Sequence, residues 1–501
     1  MPQELYFAPL NVDEHRDFCA AAHRETYRLT FGKEITDEYI EKELASTRKQ
    51  FELNPQRVQY AMIGGSPVGI VELEVRSFGT DYGWIHFYYI APELRGRGYG
   101  RRLIDYSVEY FRRLGLTQIF LRVGKINGAA EEFYKHCGFV RSPNGDREGE
   151  HMMVYYLDDT LPDAAAIFSL FGGAVAPVKY ELSDNSHGAN DKRFTIIAEY
   201  GALGKVVIKA AKNLFTTPER VGGWAALAEH YNSLGIYAPR FIKTGNGEYG
   251  AVVGEYVVYA EEFARYAPDE SIDYTSSAEA RLTLLGRVAA NPIAPLLPFT
   301  SPYAMFDKFS DDDEAPEMYE NGLNTARSIA EKYPEHADRA NGLLREYERR
   351  RDAFEPVYRA LPQSSFQADM NISNLLFDGG EFVGLMDFNL SGTDAALGYA
   401  MYECYYYMTE DEIMTAIKER DTRELDERLR LNFGYVAREY SFTDAERAAF
   451  NALYNLAAPF WGANYTTYNE LMRDHGGEYV PQILDFIEWQ MNRSDVGDYL
   501  P

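Results

Sequence analysis

The sequence predicts two domains of different class. A layered α/β domain spans 1–158. After a linker at 159–176, an α+β domain spans 177–501, with a small β-rich lobe (about 177–262) ahead of a large helical lobe (about 263–501). Three observations carry this reading. At 501 residues the chain exceeds what one hydrophobic core serves. Helical and strand periodicities alternate through the first part, whereas beyond Ser276 the pattern is mostly helical. Residues 158–163, Asp-Asp-Thr-Leu-Pro-Asp, form a turn-rich break behind an apolar strand at 151–157.

In chain order, the first part reads as helices at 13–29 and 37–51, then strands at 58–63, 68–75 and 83–90. A long amphipathic helix at 100–114 follows, then a strand at 118–123 and a helix at 129–136. A short apolar helix is expected at 164–171 in the linker. The second part opens with strands at 178–182, 194–200 and 205–210. A helix at 218–234 comes next, with Thr217 as N-cap, Pro218 in its first turn and Gly235 as its stop. Strands around 249–259 precede the helical region, which a hairpin-like stretch at 374–388 interrupts.

Composition narrows the function. Hydrophobic residues make up 46%, enough for a packed interior, and no run approaches the eighteen or so apolar residues of a membrane span. The opening Met-Pro-Gln-Glu has neither the basic nor the apolar part of a secretory signal. Cys19, Cys137 and Cys404 are scattered, with no metal-like spacing. A cytoplasmic protein is expected. The net charge of -27 disfavours nucleic acid and anionic membranes and attracts cations, which leaves a cationic small-molecule acceptor open beside the commoner reading that acidity only aids solubility. Oligomeric state is not readable.

The first chemical motif follows the strand Trp84-Ile85-His86-Phe87-Tyr88-Tyr89-Ile90. Arg95-Gly96-Arg97-Gly98-Tyr99-Gly100-Arg101 then runs into a helix. The glycines let main-chain amides approach a ligand, the helix N-terminus faces the same place, and the arginines add charge. The whole is a cradle for a pyrophosphate. Downstream stand Asn127, Ala130, Tyr134, Gly138 and Phe139. Arg95, Gly98 and Gly100, with that second series, resemble the GNAT acetyltransferase superfamily over about residues 1–158. The resemblance implies acetyl transfer from acetyl-CoA to an amine. It implies that Ile90, Arg95, Gly96, Arg97, Gly98, Gly100, Arg101 and Asn127 hold the cofactor, and that Tyr134 protonates the leaving thiolate. Many members have a carboxylate where this sequence has His86, which makes His86 a candidate base. Glu72 and Glu74, two apart on the preceding strand, share a face and are alternatives, although exposed strand carboxylates are the commoner reading.

The second motif is Gln367-Ala368-Asp369-Met370-Asn371-Ile372-Ser373-Asn374, followed by Asp387-Phe388-Asn389 beyond a hairpin. An Asp that deprotonates a hydroxyl, with an Asn and a second Asp that hold Mg²⁺, is a phosphoryl-transfer arrangement. The stretch resembles the aminoglycoside phosphotransferase and choline kinase group, implying a protein-kinase-like fold, with Asp369 as catalytic base and Asn374 and Asp387 as metal ligands. Gln367 stands where the group has His, and Ala368 where it has Gly. ATP or GTP would be gripped by Lys209 of Val206-Val207-Ile208-Lys209, under a phosphate loop at 183–191, beside a hinge containing Glu261. Neither Glu219 nor Glu229 is a convincing partner for that lysine. Aromatics at Tyr399, Tyr402, Tyr405, Tyr406, Tyr407, Phe460, Trp461, Tyr465 and Tyr468, with Asp394 and Glu403, could line an acceptor pocket for a cation, although ordinary helix core with solvated acids is the commoner reading.

Together the two resemblances imply a bifunctional acetyltransferase and phosphotransferase acting on an aminoglycoside or a similar cationic metabolite, as in antibiotic resistance. Two alternatives stay open. The GNAT half could only bind acetyl-CoA beside a housekeeping kinase, or the protein could be a non-catalytic binder.

Overall fold

The computed structural model describes residues 4–78, 80–172, 176–201, 204–269, 271–405, 410–419 and 421–501. The chain divides into two compact units. One comprises 1–213 and 252–258, the other 214–251 and 259–501.

The first unit is built on a sheet with a helical layer on each face. Its elements are β1 (Tyr6–Pro9), α1 (Arg16–Phe31), α2 (Asp37–Leu53), β2 (Val58–Ile63), β3 (Ser66–Phe78), β4 (Thr80–Ile90), α3 (Tyr99–Arg113), β5 (Gln118–Gly124), α4 (Gly128–His136), β6 (Val140–Arg141) and β7 (Glu150–Tyr156). After α5 (Ala164–Gly172) come β8 (Lys179–Asp184), β9 (Lys192–Tyr200) and β10 (Gly204–Lys212). The strands run in the order β1-β2-β3-β4-β5-β7-β6-β8-β9-β10. Alternating side chains give the sheet two apolar faces. Leu103, Ile104, Val108 and Phe111 of α3 pack with Val71, Leu73 and Ile85 on one face. Cys19 and Ala22 of α1 and Ile40 and Leu44 of α2 pack with Ile70, Phe87 and Tyr89 on the other.

The boundary expected near Asp158 is displaced. Residues 177–213 fall with the first unit because β8 pairs with β6, Arg141 opposite Ser183. Side chains reinforce that edge: Tyr156 donates to Asp184 at 2.8 Å, and Lys135 meets Glu181 at 3.2 Å. The small lobe expected over 177–262 is therefore shared between the two units.

In the second unit, helix Pro218–Ser233 starts at Thr217, whose side chain accepts from the Arg220 amide as its sequence predicts. Helices Tyr274–Ala290, Glu317–Lys332, Ala337–Arg359, Arg423–Val436, Asp444–Ala457 and Val480–Met491 supply the bulk. Two small antiparallel ladders interrupt them. Gln363–Phe366 pairs with Gly392–Ala395, and Leu375–Asp378 with Glu381–Leu385.

Candidate active sites

In the first unit, two irregularities mark the sheet. Glu72 lies opposite Phe87 but Leu73 opposite Ile85, so His86 is the extra residue of a bulge in β4. The parallel pairing of β4 with β5 is confined to Gly83–Ile119 and Trp84–Phe120. Past Trp84, and so through the bulge, no ladder pairing joins β4 to β5 among the described residues.

At the C-terminal end of β4 lies the glycine loop. Gly96 and Gly98 have φ of 73° and 84°, and nothing occupies the space a Cβ would fill at either. Gly98 caps α3, so its turn sets the first amides of that helix toward open space. Gly100 is a packing glycine, because a Cβ there would come 3.0 Å from the Phe133 ring. The arginines divide. Arg97 is exposed. Arg95 is engaged, donating to the Ile90 carbonyl at 2.9 Å and meeting Glu25 at 3.0 Å, so it braces the loop. Arg101 binds Asp105 at 2.9 Å, along its own helix. Asn127 caps α4, its side chain accepting from Ala130 at 3.2 Å.

Tyr134 is buried on α4, 6.0 Å ring to ring from Tyr88. Burial holds its hydroxyl well above its ordinary pKa, so it keeps its proton. His86 is partly exposed, with Nδ1 3.6 Å from Glu74. The side chain of Glu74 also accepts from Arg76 at 2.7 Å. Glu72 departs from the exposed-carboxylate reading. It is 3% exposed beneath α2, accepts from Thr47 at 2.8 Å, and burial pushes it up to about 7. The sequence reading missed His23. It reaches from α1 to stack on Phe87 at 4.1 Å, and burial, with His86 nearby, pushes it down to about 4. No local signal marks it, since only the packing of α1 on β4 brings it there.

In the second unit, the ladders bring distant residues together. Leu375 is opposite Leu385, and Met386 donates to the Asn374 carbonyl at 3.0 Å, which sets Asn374 beside Asp387. Asn374 donates to the Asp369 carboxylate at 2.8 Å, leaving its amide oxygen for another partner. Asn371 donates to the other carboxylate oxygen. Asp369 is pushed up to about 7 by burial and by the charge of Asp387. Gln367 donates to the carbonyls of Asp369, Met386 and Asp387 at 3.1, 2.9 and 2.7 Å. Ala368 and Asp387 both adopt positive φ, 62° and 59°. Buried Arg281, not foreseen from sequence, donates to the Met370 carbonyl at 3.3 Å and holds the loop from beneath.

Beside Asp369, Tyr303 stacks on Tyr402 at 3.9 Å, and Tyr402 meets Trp461 at 4.3 Å. Glu317 and Glu403 act with Asp369 on the Tyr303 hydroxyl, which burial raises first. Of the other expected pocket residues, Tyr399, Tyr405, Phe460 and Tyr468 are core, whereas Tyr465 is half-buried. Tyr468 donates to the Pro459 carbonyl at 2.7 Å, and Asp394 accepts from Tyr358 at 2.8 Å. Tyr406 and Tyr407 lie outside the described residues. Lys209 stands on β10 opposite Thr195 in the first unit, and Glu261 is buried opposite Phe241 in the second. Glu219 lies in the first turn of its helix, and Glu229 pairs with Arg240 at 3.4 Å.

An interrupted strand pair, a glycine-lined helix N-terminus and a buried tyrosine all belong to the first unit. Residues 20–139 match the Acetyltransferase (GNAT) family, which identifies the N-terminal part as a GNAT domain. Among relatives, an uncharacterized N-acetyltransferase of Methanocaldococcus jannaschii is 36% identical over 81 residues, 15% of this chain and 36% of that protein. A spermidine N(1)-acetyltransferase of Vibrio cholerae is 33% identical over 82 residues, 16% of this chain and 44% of that protein. The chain thus spans less than half the length of these relatives. A crystal structure of the PaiA N-acetyltransferase of Thermoplasma acidophilum with coenzyme A is 16% identical, over 30% of this chain and 99% of that one, with TM-score 0.26.

Proposed function

We propose that the first unit transfers an acetyl group from acetyl-CoA to an amine. The bulged, interrupted β4–β5 pair ending on an open glycine loop is the observation that supports this. Amides at Gly96, Gly98 and the start of α3 suit the pyrophosphate. The amine attacks only when neutral, so its proton has to leave. His86 receives it, and Glu74 at 3.6 Å steadies the imidazolium that forms. Tyr134, held protonated by burial, donates to the departing thiolate.

The second unit is read as a kinase-like phosphotransferase. The hydrogen bond from Asn374 to Asp369, with Asp387 close enough to raise Asp369, supports that reading. Two carboxylates that repel one another, beside a spare amide oxygen, fit a hard divalent cation. Asn374 and Asp387 would hold Mg²⁺, which supplies charge neutralisation at the phosphates of ATP or GTP. Asp369 orients an acceptor hydroxyl and takes its proton. The tyrosines and acids around Tyr303 suit a cationic acceptor such as an amino sugar.

Mass spectrometry tests both halves. The chain is incubated with an amine and amino-sugar panel and either acetyl-CoA or Mg²⁺ with ATP or GTP, beside Asp369→Asn and His86→Ala. Acetylation lost only in His86→Ala and phosphorylation lost only in Asp369→Asn are expected. Phosphorylation unchanged in Asp369→Asn would remove the kinase assignment, and acetylation unchanged in His86→Ala the base.

A further inference from the structure

On the sheet face of the first unit that carries His86 and Glu74, three side chains form a cross-strand row. Trp84 of β4 is flanked by Arg76 from β3, 4.1 Å from the indole centre, and by Arg122 from β5, 5.3 Å away. Registers fix the row. Arg76 is opposite Tyr82, Glu74 opposite Trp84, and Trp84 opposite Phe120, so all share the face. Trp84 lies two residues before the bulged His86, and Arg122 lies on β5 just past the last paired position.

The two guanidinium groups are not equivalent. Arg76 has Glu74. Among the described residues Arg122 donates only to the Gly145 carbonyl, at 3.2 Å, and its buried Nε has no hydrogen-bond partner there. Among the described residues no carboxylate lies within 4.0 Å of Arg122. Burial, then the neighbouring charges of Arg147 and Arg76, holds its pKa down despite Glu150. Like charges gathered at a half-buried spot, with fork donors unmade, are destabilising until an anion arrives. A pocket of about 520 Å³ opens on the same face, floored by Tyr82, Trp84 and Phe120 and bounded by Tyr156, Asp184 and Lys192. That volume suits a small molecule.

We propose that the acetyl acceptor is a small amine bearing an acid group, a carboxylate or phosphate, which Arg122 and Arg76 receive on either side of Trp84. Its amine then faces His86, and its body lies in the aromatic pocket. Part of that pocket's wall comes from Asp184–Lys192, outside the residues that match the acetyltransferase family. The proposal rests on the acetyl-transfer reading. It also separates the two halves: the acceptor of the first is recognised by its anion, whereas the second unit's aromatic and acidic side chains suit a cation.

The test uses the full chain with acetyl-CoA and matched amines: amino acids against their amides, phosphoethanolamine against ethanolamine, and spermidine as a polycation. CoA release and product mass are read, and binding of the same amines in the presence of CoA is followed by calorimetry. The expected result is that acids exceed their neutral partners at least about tenfold in kcat/KM or affinity. Arg122→Gln should raise KM for the acids about tenfold, leaving KM for acetyl-CoA and for the neutral partners unchanged. Arg76→Gln, where Glu74 already pairs with the guanidinium, should act in the same direction more weakly. The amino-acid and phosphoethanolamine arms decide between carboxylate and phosphate. Equal or better use of amides or spermidine, or acid binding indifferent to both substitutions, overturns the proposal. Arg122-dependent binding of acids without any acetylation keeps the anion site and removes the acetyl-transfer reading instead.

Discussion

Gln367 donates from its side-chain amide to the main-chain oxygen of Asp387 at 2.7 Å. The same nitrogen reaches Met386 at 2.9 Å and Asp369 at 3.1 Å, and the Gln367 amide oxygen accepts from the Asp369 N–H at 2.8 Å. One buried side chain thus joins the loop of the proposed base to the loop of the proposed metal ligand. Truncation to Ala removes the partner of three half-buried carbonyls and of the Asp369 N–H, at about 1–3 kcal/mol in stability. Gln367→Ala should lower the denaturation midpoint by that amount and reduce phosphoryl transfer at least about tenfold, with acetyl transfer unaffected.

Ala368 sits at φ 62°, in the left-handed region, and is fully buried. A β-branched side chain is strained there, by roughly 1–3 kcal/mol. Ala368→Val should be destabilised by about that much in chemical denaturation and lose phosphoryl transfer. Ala368→Gly should keep the activity, because glycine adopts this φ freely.

Gly98 and Gly115 make a matched pair at the two ends of α3. Both have positive φ, 84° and 73°, with nothing where a Cβ would sit. Alanine at either should therefore destabilise by a similar, conformational amount, roughly 1 kcal/mol. Only Gly98→Ala places a methyl in the glycine loop, and only it should raise KM for acetyl-CoA, about tenfold, in steady-state kinetics.

Glu72 has a folded pKa raised from its ordinary value near 4.5 to about 7 by burial. A raised folded pKa means the folded state binds the proton more tightly. This contribution to stability is therefore full below about 4.5 and is lost as pH rises through about 7. Glu72→Gln removes the charge while keeping an acceptor for Thr47. Unfolding experiments should find it close to wild type at pH 4.5 and more stable at pH 8, by up to about 3 kcal/mol. A constant difference across that range would show that Glu72 is not the titrating group.

Much of this was legible locally. The strand at 58–63 is β2 as its pattern predicts, and the Thr217 cap starts its helix as expected. Such features depend on residues a few positions apart, where propensity, capping and periodicity act directly. The order Asp369, Asn374, Asp387 was likewise visible, because a short hairpin leaves little freedom in how those loops meet.

Other features needed the third dimension. The bulge that makes His86 supernumerary is a register between β3 and β4, invisible in either strand alone. Glu72 and Glu74 look equivalent in sequence, yet α2 buries one and the other pairs with Arg76. His23 and Arg281 are ordinary helix residues until their helices dock. The unit boundary moved from Asp158 to Asn213 because β8 found a partner in β6. The sequence by itself determined the elements, the glycine loop and the carboxylate series, because these rest on neighbouring residues. Tertiary structure alone decided which charges are buried, which are paired and which, like Arg122, face a neighbour of the same sign, because strand register and helix docking set those distances.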